Sequence, residues 1–164
     1  MGACHDFFRE YVLPAIREWR ENRTNQRLAT TVAGELNSLV DYYWHAKRHE
    51  LLMSSGCETL TAFRAHLTRE NENIGLVRDL ADSHKHFLLD RASRSITNAD
   101  QLGVRQIGYG EAYGLCYGGG EVLSVQLDNG TLRYYDDIAE DVFTYWRRLL
   151  DSDEAPDTIF PDSS

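Results

Sequence analysis

Two β-rich runs facing each other across an Asn-Gly pair restrict this chain more than any other feature. Val122, Ser124 and Gln126 alternate with Leu123, Val125 and Leu127; Asp128-Asn129-Gly130 comes next, and then Thr131, Leu132, Arg133, Tyr134 and Tyr135. Asn and Gly supply the positive φ angles of a two-residue turn, so the stretch predicts an antiparallel β-hairpin. Upstream of residue 90 the apolar residues instead recur every three or four positions, the period of helices that bury one face. A hairpin set among helices leaves a narrow choice. The predicted fold class is α+β: a mainly helical bundle of four or five helices, with a hairpin or small antiparallel sheet inserted before the last one.

Phe8, Tyr11, Val12, Ala15, Ile16 and Trp19 predict a first helix over about 6–20. Pro14 withdraws a backbone donor inside it, so a kink or a short lead-in helix is expected there. The longest helix spans about 25–52, capped by Thr24 or Asn25 and stopped at Gly56, with Leu28, Val32, Leu36, Leu39, Val40, Tyr43, Trp44 and Lys47 tracing one face. A short third helix opens at Glu58 or Thr59, and Asn71–Asn73 separates it from a fourth over about 74–90. Residues 94–102 read as a weak strand around Ile96 and Thr97. The last helix starts near Asp137, where Asp137 and Glu140 have capping-box spacing. Residues 1–150 therefore form one domain with a β insert at about 94–135, and the acidic stretch 151–164 a flexible tail.

The formal net charge is -9, with acidic and basic residues interspersed over the body. Such a balance favours solubility and lacks the broad basic footprint that nucleic-acid binding usually requires. Cys4, Cys57 and Cys116 are odd in number and never form a C-x-x-C pair, which argues against a disulfide framework or a zinc ribbon. Free thiols fit a reducing compartment, so a cytoplasmic location is expected. No signal peptide and no apolar run of about 20 residues is visible, so no membrane partner is expected.

The fourth helix carries the densest polar chemistry: Arg78, Asp79, Asp82, Ser83, His84, Lys85 and His86. Arg78, Asp82 and His86 are spaced by four, so a chain of contacts along one stripe can hold the imidazole of His86 poised near neutral pH. The plainer alternative is a solvated face with ordinary ion pairs. Arg78 and His84, with five residues between them, resemble the R-x(4–6)-H motif of the HEPN superfamily. Those helical-bundle proteins occur in bacterial toxin–antitoxin, abortive-infection and RNA-processing systems. The resemblance covers about residues 25–92. It implies a metal-independent endoribonuclease or RNA-binding protein, often a homodimer and in some systems paired with an antitoxin. Arg78 would hold the scissile phosphate and His84 would act as acid or base on the ribose 2′-hydroxyl, assisted by Asp79, Asp82, Lys85 and His86. Many members of that superfamily serve only as binding modules. The stretches 76–87, 108–120, 127–130 and 146–150 are together similar to a group of bacterial proteins that share a fold and imply no activity.

Three other features invite function. The segment from Gly108 to Gly120 holds six of the twelve glycines, with Tyr109, Tyr113 and Tyr117 between them. It lacks the lysine and hydroxyl of a phosphate-binding P-loop, but tyrosines on a pliable loop are good at gripping a protein partner. His45 and His49 are four apart on the long helix, a spacing that lets two rings face one ion, although Lys47 and Arg48 disfavour a cation. Tyr42, Tyr43, Trp44, Trp19 and Trp146 read as core and groove aromatics, with a ligand box as the alternative. The residues thus support two functions of different kind: an RNA-directed protein working through Arg78 and His84, and a non-enzymatic protein-interaction module using the Gly/Tyr loop and hairpin. A His-based metal site is a third. No cofactor and no metal ligand set is expected.

Overall fold

The computed structural model describes residues 2–85, 94–107 and 120–154. Helix α1 (Ala3–Phe7) passes through one π-helical turn (Phe8–Val12) into α2 (Leu13–Glu21), with helical φ and ψ at both junctions, so the three pieces make one rod. Pro14 sits in the first turn of α2, and the wider turn directly before it accommodates a residue that cannot donate. The expected kink is thus taken up as a local widening.

Helix α3 (Gln26–Ser55) is the axis of the molecule. The Asn25 side chain accepts from Leu28 N and caps its start, and Gly56 ends it at φ 68°, a left-handed conformation that glycine adopts without strain. Helix α4 (Leu60–Glu70) is capped by Thr59, whose hydroxyl accepts from Ala62 N. A single extended residue, Asn71, separates it from α5 (Glu72–Lys85), which begins two residues before the expected position. Helix α6 (Tyr135–Glu154) closes the domain and starts two residues earlier than its capping-box spacing suggests. It continues through Glu154, so the first four residues assigned to the tail are helical.

Between α5 and α6 lies a three-stranded antiparallel sheet in the order β1 (Leu102–Ile107), β2 (Gly120–Gln126), β3 (Leu132–Tyr134). The weak strand expected over 94–102 is instead irregular chain ending in a short 3-10 turn, Ala99–Gln101. The hairpin is present, but its turn is longer than two residues. Gly130 N donates to Leu127 O, Leu127 N donates to Thr131 O, and only Gly130 has positive φ, at 85°. A type I turn followed by a left-handed glycine, the three-residue alternative to the Asn-Gly turn, explains all three observations.

The core runs continuously from helices to sheet. Ile16, Trp19, Leu36, Leu39, Phe63, Leu67, Leu80, Leu123, Val125, Ile138 and Trp146 are buried within it. Tyr43 and Trp44 pack on Phe63, with ring centroids 6.1 and 5.6 Å apart. Tyr42 is not a core residue: it is 42% exposed. Tyr135, at the start of α6, is wholly buried against Trp19 and donates its hydroxyl to the Ala29 carbonyl on α3, and burial pushes its ionisation far up.

Ion pairs then fasten α2 and its exit to α6. Arg20 grips Glu140 through Nε at 2.9 Å and Nη2 at 2.5 Å, and Arg23 bonds Asp136 at 2.9 Å and Glu140 at 3.2 Å. The hydrogen bond from Arg20 holds the Glu140 carboxyl below its ordinary range; burial opposes this, and the charges of Arg20 and Arg23 assist. A carboxyl whose folded-state pKa is depressed adds stability above its unfolded value, about 4.3, and that stability is lost as pH falls through the folded value. Urea unfolding measured from about pH 6 down to about pH 3 is expected to show falling stability, with part of the slope missing in Glu140→Gln. Equal slopes in the two proteins would remove Glu140 from the acid response.

Candidate functional site

Helix α5 is enclosed on most of its circumference. Ile74, Gly75, Leu76, Val77, Asp79, Leu80, Ala81 and Ser83 are all buried, and a helix that is buried nearly all round is a central one. Beyond Glu72 and Asn73 in its first turn, what reaches the surface is a narrow stripe, Arg78, Asp82 and Lys85, spaced by four and three, together with His84 near the helix end. The solvated polar face suggested by the residue types is therefore confined to these few positions.

Asp79 lies at the centre of a charged cluster although its side chain is only 2% exposed. Its Oδ1 accepts from Arg78 Nη2 at 3.0 Å, from Arg78 Nε at 3.2 Å and from Arg94 Nη1 at 2.8 Å, while its Oδ2 accepts from Ser95 N at 2.8 Å. Arg94, 6% exposed, reaches Asp82 Oδ2 with its other terminal nitrogen at 2.7 Å. Burial works against the Arg94 charge, and the bonds it donates to both carboxylates outweigh it, so its pKa is raised. Two arginines and two aspartates neutralise one another, the condition on which buried charges are tolerated. The pairing expected between Arg78 and Asp82 is accordingly replaced: Arg78 turns to Asp79, and Asp82 to Arg94. Nothing local in the sequence marks Arg94 as the partner, because it lies 15 residues beyond Asp79.

His84 and Lys85 are exposed at the end of α5. Six residues of helix rotate the direction of departure by about 240°, so Arg78 and His84 leave α5 about 120° apart. Within one chain they do not share a stripe. His86 and the tyrosines Tyr109, Tyr113 and Tyr117 lie outside the described residues. His45 and His49 are both exposed, with Lys47 paired to Glu50 between them. Among the described residues no three His, Cys, Asp or Glu side chains are grouped so as to hold a metal ion. Cys4 and Cys57 are buried and reduced. No described helix is long and apolar enough to cross a membrane.

A second feature is not legible in the sequence. Phe7 is buried between two partly exposed rings: Tyr11 stacks on it at 5.0 Å and 20°, and Tyr42 at 4.1 Å and 18°. Tyr11 is 53% exposed and Tyr42 42%. Helical spacing alone assigns both to the core. The π-helical turn carries Tyr11, and the outward position of Tyr42 on α3 meets Phe7 from the other side.

The chain matches no protein-family model, no curated protein and no solved structure.

The Asp79 cluster generates a direct test. Asp79→Asn leaves Arg94 buried without its full counter-charge, and breaking a buried pair in this way typically costs about 3–5 kcal/mol. Arg78→Ala removes a partly exposed partner and is expected to cost about 1 kcal/mol. Urea unfolding of both variants measures the two values; equal small losses would mean that Asp79 is not the organising charge.

Proposed function

We propose that this chain is a protein-interaction module that docks a basic partner protein through the aromatic face formed by Tyr11, Phe7 and Tyr42. The observation that carries the reading is the three-ring stack with both outer rings open to solvent. Tyrosine offers a large contact area at low entropic cost and is enriched where proteins bind one another. A net charge of -9 supports a positively charged partner and works against a polyanionic one. The test is co-purification from the cells that make the protein. Wild type is expected to retain one partner in stoichiometric amount, releasing it at high salt as the charges are screened. Tyr11→Ser/Tyr42→Ser is expected to lose it while keeping its far-UV circular dichroism. Undiminished retention by the double variant would remove the aromatic face from the reading.

A second reading, the HEPN-like RNA-binding protein or endoribonuclease, draws support from the exposure of His84 and Lys85 at the end of α5 and the partial exposure of Arg78. Because Arg78 is committed to Asp79 and departs on another side of the helix, the reading needs a second copy of the chain to bring an Arg78 beside a His84. Incubation with total RNA in chelator separates the two readings. Cleavage by wild type that is lost in both Arg78→Ala and His84→Ala supports the nuclease; intact RNA alongside a ring-dependent partner supports the interaction module.

A further inference from the structure

A cleft of about 490 Å³ opens between the end of α4 and the outer face of α6, lined by Glu70, Asn71, Asp141, Thr144, Tyr145 and Arg148 among others. Its volume falls within the range of small-molecule sites. Asp141, Thr144, Tyr145 and Arg148 succeed one another at spacings of three, one and three along α6, so they form one polar stripe opposite the buried Ala139, Phe143 and Leu150.

The polar groups in this cleft are held in place. Asn71 Nδ2 and Asn73 Nδ2 both donate to Asp141 Oδ2, at 2.7 and 2.9 Å, and no described residue bonds Oδ1. Tyr145 donates its hydroxyl to Glu70 Oε2 at 3.2 Å, and His66 Nε2 stands 3.3 Å from Glu70 Oε1. Burial and the neighbouring Glu70 push the Tyr145 ionisation up, so the hydroxyl keeps its proton and presents its oxygen to the cleft as an acceptor. Arg148 is exposed and has no partner among the described residues. The charged lining is thus two carboxylates and one guanidinium, with Thr144 and Tyr145 hydroxyls among them.

From this arrangement we infer that the cleft binds a free amino acid with a basic side chain. Such a molecule carries one carboxylate and two cations, the complement of the lining. Its carboxylate meets Arg148, its α-ammonium meets Glu70 and the Tyr145 oxygen, and its distal cation meets the open Oδ1 of Asp141. Asp141 lies seven residues, or about 10.5 Å of helix, from Arg148, which leaves room for an extended aliphatic side chain between them.

Calorimetric titration of the full chain with L-lysine and with L-arginine tests the inference, with cadaverine and acetate as ligands that lack one half of the charge pattern. At least one of the two amino acids is expected to bind saturably, and about tenfold more tightly than either control. Arg148→Ala and Asp141→Asn are each expected to weaken it about tenfold or more, whereas Arg147→Ala, on the neighbouring side of α6, leaves it unchanged. Both sites are exposed, and an unfolding midpoint equal to that of wild type establishes that each variant is folded. The inference is overturned if neither amino acid binds up to about 10 mM, if cadaverine binds as tightly, or if the variants bind like wild type.

Discussion

The Asp79 carboxylate is the point at which the two halves of this fold are joined. It sits on the central helix, deep in the body, and takes hydrogen bonds from Arg78 on its own helix and from Arg94 and Ser95 on the chain that leads into the sheet. An isolated carboxylate at that depth would be costly, because its hydration is lost. Arg94 offsets the loss, and Asp82 in turn occupies the second fork of Arg94. From Ser95 the positioning passes to the sheet. The Ser95 carbonyl accepts from Asp128 N in the hairpin turn, and Gln101 bonds the Gln126 carbonyl and Asp128 Oδ1. A buried charge cluster adds little net stability compared with a well-packed apolar one. It acts on geometry, since only one approach of residues 94 and 95 to α5 satisfies every donor.

The parts of the fold that are legible in the sequence are those fixed by local chemistry. Asn25 and Gly56 bracket α3 because a side-chain acceptor and a left-handed glycine are one-residue requirements of any helix end. The hairpin is legible for the same reason, although Gly130 alone takes the positive φ angle and lengthens the turn. Strand β1 is not legible. Leu102 and Ile107 are buried with a run of more exposed residues between them, so the alternation that identifies a strand is missing. It is a strand because β2 supplies its hydrogen bonds from Leu102 to Ile107. Asp79 is legible as polar chemistry but not as a buried residue, because its decisive partner lies on a separate segment.

The candidate site residues divide in the same way. Arg78, Asp79 and Asp82 stand out in the sequence as a dense charged stretch; in three dimensions Asp79 and Asp82 hold α5 to the sheet entry through Arg94, and Arg78 braces Asp79. Spacing along a helix identifies which residues share a face; it does not say whether that face meets water, a ligand or another part of the chain. Tyr11 and Tyr42 illustrate the converse. Both fit a core stripe by period, yet Phe7 occupies the position between them and leaves their outer faces open.

Helix α6 carries this argument furthest, because it serves the core with one face and presents chemistry with the other. Ile138, Val142 and Trp146 are fully buried, and their packing fixes the rotation of the helix about its axis. Once that rotation is set, Asp141, Tyr145 and Arg148 have no freedom in where they emerge. The Asn71 amide then meets Asp141 from the one-residue break between α4 and α5, and the Asn73 amide meets it from the first turn of α5. Asn71 therefore has two roles: its extended backbone separates the two helices, and its side chain orients a carboxylate on a third. A polar arrangement whose members come from three segments, positioned by an apolar face on the opposite side, is held at the accuracy of core packing rather than that of a surface loop.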